Sequence, residues 1–187
     1  MAMPKRTIED GWQTATPDEA EEKGRLSALH AYDILDTPQE TEFERITTLV
    51  AEMLDVPIAL VSLIDENRQW FKSCYGLNVA ETPRDMAFCV HAIETPEDIM
   101  IIPDARKDNR FRKNPLVTGE PHIRFYAGAP LITKTGFALG TLCAISNEPR
   151  EGLTNKEKLL MQTLAAVIVD EMELRVKTAK LEKKLRS

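Results

Sequence analysis

RFYAGAPLITKTGFALGTLCAI, residues 124–145, decides the fold. Two apolar runs of strand length, residues 125–133 and 137–145, flank the polar turn Lys134-Thr135-Gly136. Such a pair reads as a β-hairpin whose glycine supplies a positive-φ position. Period-2 alternation then divides the side chains between two faces of a sheet. Phe125, Ala127, Ala129 and Leu131 point one way; Tyr126, Gly128, Pro130 and Ile132 point the other. In the second strand Ala138, Gly140, Leu142 and Ala144 alternate with Leu139, Thr141, Cys143 and Ile145. Neither set suits water, so both sides of the hairpin must be covered. The small residues Ala127, Gly128, Ala129, Gly140 and Ala144 leave room for a helix or a ligand to come close.

Downstream, Thr154-Asn155-Lys156-Glu157 is a capping box that opens a helix able to run to the end of the sequence. Leu153, Leu160, Val167, Leu174 and Leu181 recur every seven residues along it, while Glu171 and Thr178 interrupt the partner row begun by Leu164 and ended by Leu185. Met161, Ala165 and Ile168 widen the apolar face early, so the first half should pack on the domain's own sheet. The later half carries one narrow seam among charges. An isolated helix of that kind is marginal in water, and a two-stranded coiled coil would stabilise it. A frayed terminal helix is the alternative.

Upstream, residues 104–118 form the largest polar insert and a candidate lid. Residues 99–102 read as a short buried strand, 86–94 as a short helix with a strand still open, and 76–85 as irregular. Residues 68–75 form a strand polar enough to lie nearer an edge. IALVSLID at 58–65 has the continuous apolar character of an interior strand. Ahead of it, Thr37-Pro38-Gln39-Glu40 reads as a helix start, with Thr as N-cap and Glu reaching back. The helix should bury Phe43, Ile46, Leu49, Val50, Met53 and Leu54. A further short helix is expected over residues 25–35. Residues 1–24 are polar and acidic, and read as a flexible segment.

With 187 residues and 43% of them hydrophobic, the chain can build one real core. Its net charge of −6 offers no overall basic field for nucleic acid. No run of apolar residues is long enough to span a membrane, and the first residues lack a signal peptide's apolar stretch. Three cysteines without a CxxC spacing fit a reducing compartment. The expectation is a cytoplasmic protein with neither nucleic acid nor membrane as partner.

The residues with chemical potential are few. Cys89 and His91 diverge by about 200° on a helix and then cannot act as a nucleophile–base pair. Cys74, Cys89, His91, His122 and Cys143 have no zinc-ligand spacing. No catalytic residue and no metal site is therefore assigned. Arg106, Lys107, Arg110, Arg112 and Lys113 could receive an anion, though a solvated charge run explains them more simply.

The order helix, IALVSLID, RQWFKS, PRDMAFCVHAI, IMIIPDA, DNRFRKNPLV, RFYAGAPL, GFALGTLCAI, long helix resembles a GAF domain. It is similar to bacterial GAF domains placed ahead of histidine-kinase or diguanylate-cyclase modules. The resemblance implies an α+β fold: a central antiparallel sheet of about six strands, helices on one face, a ligand pocket and loops on the other. It divides the chain into a flexible segment (1–24), a GAF domain (25–172) and a helical extension (173–187) that could form a coiled coil. It places a pocket between the hairpin and residues 86–116. Phe71, Phe88, Cys89, Ile102, Asp104, Phe111, Tyr126, Thr141 and Cys143 are its candidate lining. Only one of Phe125 and Tyr126 should face it.

Family members bind cyclic nucleotides, tetrapyrroles or other small molecules, and some only dimerise; the resemblance names no cofactor. The Cys-His dipeptide of bilin-binding members is absent from this sequence, as is any kinase or cyclase motif. The functional expectation is a non-enzymatic sensory module. It would bind a small molecule, form a homodimer through its last helix, and serve an output kinase or cyclase module. One alternative is a cysteine-dependent free methionine sulfoxide reductase, whose cysteine arrangement the spacing Cys74, Cys89, Cys143 does not resemble. The other is a dimerisation domain without ligand.

Overall fold

The computed structural model describes residues 18–186, so residues 1–17 of the expected flexible segment lie outside it. Six strands form one antiparallel sheet: β1 (Ile58–Ile64), β2 (Arg68–Tyr75), β3 (Glu81–Pro83), β4 (Met100–Ile102), β5 (Phe125–Ile132) and β6 (Ala138–Ser146). Their spatial order is β3-β2-β1-β6-β5-β4. The apolar run of β1 is buried at every position because it lies between β2 and β6. Helices α1 (Glu19–His30), α2 (Thr41–Leu54) and α5 (Asn155–Arg186) cover one face. The short helices α3 (Phe88–Glu94) and α4 (Pro115–Thr118) lie over the other, giving two separate cores. This is the α+β architecture expected.

The hairpin forms as the sequence dictates, with Gly136 at φ +89° in its turn. Alternation is interrupted once, by a register shift between Pro130 and Ile132. Leu139 therefore joins Leu142 and Ala144 in the helix-side core instead of sharing a face with Thr141 and Cys143, a correction to the simple period-2 reading. A second shift, between β1 and β2, turns both Lys72 and Ser73 toward α2. Ser73 Oγ lies 2.8 Å from Thr47 Oγ1, and the Lys72 ammonium lies 5.3 Å from the centre of the Phe43 ring.

That lysine reassigns the start signal ahead of α2. Its side chain is wholly buried, and a buried ammonium must be paired. Nζ donates to Thr37 Oγ1 at 2.9 Å, to the Pro38 carbonyl at 2.7 Å and to Glu40 Oε1 at 2.6 Å. Thr37 and Glu40 are thus engaged with Lys72, and α2 starts at Thr41 without a side-chain cap. The buried stripe of α2 is Phe43, Ile46, Thr47, Val50, Ala51 and Leu54. Leu49 and Met53, expected inside, stand exposed because the helix is rotated to set Thr47 against Ser73. The first helix also lies earlier than expected, beginning at Glu19 with Asp18 as its cap. Buried Arg25 holds it down: its guanidinium donates to the Ile64 carbonyl at 2.7 Å and pairs with Glu22.

The capping box of α5 is present in both directions. The Glu157 N–H donates to Thr154 Oγ1 at 3.3 Å, and the Thr154 N–H donates to Glu157 Oε2 at 2.7 Å. Met161, Ala165, Ile168, Val169 and Met172 are buried against the sheet. At the point where that face ends, Arg175 latches the helix, donating to Glu40 Oε1 at 2.9 Å and to the Asp33 carbonyl at 2.8 Å. Glu40 thereby sits between a cation from the sheet and one from α5. Burial would push its carboxyl up, but hydrogen bonds from Lys72 and Arg175 hold it below its ordinary value.

Candidate functional site

A cavity of about 280 Å³ lies on the sheet face opposite α5. Leu60, Phe71, Tyr126 and Ile145 form its floor, from β1, β2, β5 and β6. Phe88 and Cys89 from α3 close one side, and Leu77 and Val79 from the loop after β2 close another. Leu116 and the 120–123 segment, including Ile123, complete the wall. The cavity exists because this core is thinner than its counterpart. Two helices of seven and four residues cannot cover the face that three longer helices cover on the other side.

At one end of the cavity stands a polar cluster in an otherwise apolar core. Cys89 Sγ accepts from Thr141 Oγ1 at 2.9 Å, from Gln69 Nε2 at 3.0 Å and from the Tyr126 hydroxyl at 3.3 Å. Cys143 Sγ lies 3.3 Å from Cys89 Sγ and 2.8 Å from Thr141 Oγ1. Gln69 is itself fixed, donating to Ser62 Oγ at 2.7 Å and accepting from Thr82 Oγ1 at 3.3 Å. Burial alone would raise the Cys89 thiol, but hydrogen bonds from Cys143, Ser62, Thr141 and Tyr126 bring it below the ordinary thiol range. Burial, with the charge of Cys89 beside it, pushes Cys143 well above that range. The phenol of Tyr126 reaches this cluster across Gly128, where a Cβ would stand 2.2 Å from its hydroxyl oxygen. Only a residue without a side chain leaves it that path.

The expected lining residues separate into three groups. Phe71, Phe88, Cys89 and Tyr126 border the cavity, and Phe125 lies in the opposite core as the alternation required. Thr141 and Cys143 stand behind Cys89, and Phe111 stacks on Phe88 with ring centres 4.0 Å apart. Ile102 and Asp104 border a different feature, an open groove completed by residues 106–108 and 149–151. Sequence reasoning missed Leu60 and Ile145, although both follow from extending the Tyr126 face along the sheet by period 2. Gln69 gave no local signal, since its partners come from β1, β3 and α3.

Two of the insert's five cations are paired within it. Arg106 donates to Asp104 at 2.9 and 2.8 Å, and Arg110 to Asp108 at 3.0 and 2.8 Å. Arg106 holds the Asp104 carboxyl below its usual range. Asn114 anchors the insert by donating to the Met86 carbonyl at 3.0 Å while its side-chain oxygen caps α4. His91 lies outside the thiol cluster, with Nδ1 3.7 Å from Glu94 and its ring edge-on to Phe111.

The sequence profile of the GAF domain matches residues 38–171. A cyclic di-GMP phosphodiesterase of Pseudomonas aeruginosa is 40% identical over 156 residues, which are 83% of this chain. The chain spans about a quarter of that relative's length, 26%. Among solved structures, the GAF domain of an Acinetobacter phosphoenolpyruvate-protein phosphotransferase superposes with a TM-score of 0.59 at 18% identity, covering 88% of this chain and 97% of that one. A free methionine-R-sulfoxide reductase of Neisseria meningitidis, solved with its substrate, does so with a TM-score of 0.59 at 14% identity, covering 90% and 98%. At such identities the two structures speak for the fold alone.

Proposed function

This chain belongs to the GAF family of domains, and on that premise we propose that it is a non-enzymatic sensory module whose cavity takes a small uncharged molecule and whose α5 passes the cavity's state to a homodimer. One observation carries this reading. Tyr126 borders the cavity, while its strand neighbours Phe125 and Ala127 pack in the core beneath α5. A ligand that displaces β5 therefore works on both faces at once.

The ligand's chemistry follows from the walls. None of the lining residues is Lys, Arg or His, and Glu120 is the only charged one among them. Phosphates are bound by guanidinium groups, ammonium groups or clustered backbone N–H donors. A cavity of about 280 Å³ lies just below the usual span of ligand pockets, roughly 300–1,000 Å³. A compact, mostly apolar molecule fits these limits, and a cyclic dinucleotide does not.

The dimer rests on the seam Leu160, Val167, Leu174 and Leu181. Leu174 and Leu181 are 55% and 60% exposed in the single chain. Burying one Leu contributes roughly 1.5–3 kcal/mol, so two or three per chain support a weak association. Glu171 and Thr178 in the partner row keep it weak, which suits a helix that must rotate or slip to signal. An output module of the kinase or cyclase type is the partner such a helix would serve. We assign the protein to the cytoplasm; no helix among the described residues is long and apolar enough to cross a membrane.

Three measurements test this. Native mass spectrometry of protein purified from its own host should find a small uncharged adduct on a dimer. A bare dimer would favour the dimerisation-only alternative. Leu174→Asp together with Leu181→Asp should give a folded monomer by sedimentation, and a wild-type protein already monomeric at tens of micromolar would remove the interface. Free methionine sulfoxide should leave all three thiols reduced. Its catalytic turnover with a dithiol reductant would put the reductase alternative in place of this one.

A further inference from the structure

The sensory reading uses Tyr126 as a cavity wall and gives the chemistry of the two thiols beside it no role, yet their geometry is unlike that of cysteines buried as small apolar side chains. A neutral thiol sulfur is a weak acceptor. Cys89 Sγ nevertheless has three donors aimed at it, the Thr141 hydroxyl, the Gln69 amide and the Tyr126 hydroxyl, at 2.9, 3.0 and 3.3 Å. Such a shell matches a thiolate, the form of cysteine that attacks oxidants. Its neighbour Cys143 Sγ stands only 3.3 Å away, on the adjoining strand β6. A disulfide requires about 2.05 Å, so the two sulfurs must close by roughly 1 Å. Cys89 sits on α3, seven residues long, which can supply that movement more easily than the sheet. Cys89 also borders the cavity, so an oxidant has a place from which to reach it.

We propose that Cys89 and Cys143 form a redox-modification site in which a small alkyl hydroperoxide entering the cavity oxidises Cys89 and Cys143 closes a disulfide onto it. In the first step the Cys89 thiolate attacks the terminal oxygen of the hydroperoxide. The O–O bond breaks, Cys89 becomes a sulfenic acid, and the alkoxide leaves and is protonated to the alcohol. Next, Cys143 sulfur attacks Cys89 sulfur. The S–O bond breaks, and hydroxide departs with the Cys143 proton as water. Two thiols and one hydroperoxide thus yield one disulfide, one alcohol and one water. An uncharged hydroperoxide suits the apolar walls. Cys74 is the internal control: burial raises its thiol, which instead donates to the Leu77 carbonyl at 3.2 Å.

The proposal uses the cavity only as the oxidant's way in. The test is stoichiometric tert-butyl hydroperoxide on the fully reduced chain, followed by denaturing alkylation, intact mass and peptide mapping. Alkylatable thiols should fall from three to one per chain, the mass before alkylation should drop by two hydrogens, and dithiothreitol should restore both. The linked peptides should be those of Cys89 and Cys143, with the pair reacting about tenfold or more faster than Cys74. In Cys143→Ser, dimedone should trap a sulfenic acid on Cys89. In Cys89→Ser, Cys143 should remain a thiol at the same dose. Oxidation confined to Cys74, a link between chains, or both buried thiols still alkylatable after excess hydroperoxide would each overturn the proposal. The wild-type peptide map decides the matter even if a variant fails to fold. A cavity adduct with both thiols reduced sinks this proposal alone; a disulfide in a protein that never carries an adduct sinks the sensory reading alone.

Discussion

On the helix side of the sheet, Phe43, Val50 and Leu54 of α2 and Met161, Ile168 and Met172 of α5 interlock with Val61, Leu63, Leu139 and Leu142. On the other side, the Phe88 and Tyr126 rings touch with centres 5.2 Å apart, yet with Phe71 and Ile145 they border about 280 Å³ of open space. The same strands supply both floors, so strand chemistry alone does not explain the difference. It lies in what covers them: long helices with whole apolar faces on one side, short helices and loop on the other. One face is filled and holds the fold together, and the other leaves packing unmade.

The largest expected contrast comes from truncating one phenylalanine on each face. Phe43→Ala should cost about 3–5 kcal/mol, the usual range for a filled core. Phe71→Ala should cost less than half of that, because its ring already borders open space. Chemical denaturation of the ligand-free protein measures both, and equal losses would abolish the distinction between the faces.

Lys72→Met probes the charged seam of the tight face. Removing one member of a buried pair costs about 3–5 kcal/mol when its partner is stranded. Here Glu40 keeps Arg175 and is partly exposed, so about 2 kcal/mol is expected by the same reasoning. The pH dependence carries the sign. The carboxyl of Glu40 is depressed in the folded protein, so its contribution is present above its unfolded value, near 4.5, and is lost as pH falls through the folded value. Lys72→Met should therefore weaken the acid dependence of stability below that pH. An unchanged acid limb would mean that Lys72 does not set the ionisation of Glu40.

Adding volume should reverse in sign between the faces. Ala129→Leu, under the long helices, should destabilise by about 1–3 kcal/mol. Leu60→Phe, on the cavity floor, should stabilise by about 0.5–1 kcal/mol while blocking any ligand. The smallest effect belongs to the exposed seam. Leu181→Ala should leave the fold within about 0.5 kcal/mol and change only the sedimentation.

The readings that held rest on local grammar. The hairpin announces itself through two alternating runs about a glycine turn, and α5 through a capping box whose partners are three residues apart. Those that shifted depend on residues distant in sequence. Thr37 and Glu40 read as a helix start until a lysine from β2, more than thirty residues on, claims them both. Leu49 and Met53 read as core until Ser73 fixes the rotation of α2. Leu139 changes face at a bulge beside Pro130, a residue that interior strands accept only at such irregularities and that the period-2 reading passed over. In the cavity, the aromatic residues were legible because they stand out within apolar runs. Gln69 was not, because an amide on a strand acquires meaning only from what the folded chain sets opposite it.

Tyr126 and Gly128 carry a consequence for descent. A methyl group at position 128 would stand 2.2 Å from the phenol oxygen and 2.8 Å from the ring carbon bearing it. Glycine there can be replaced only in a lineage whose tyrosine has already become smaller, and a tyrosine can arise only where glycine is already present. The two positions form an ordered pair in mutational history: the route through a small residue at 126 beside Gly128 is open, and the route through Tyr126 beside a larger residue at 128 is closed. Gly128→Ala should be tolerated in the background of Tyr126→Ala and rejected by the native sequence, whichever function the cavity has served.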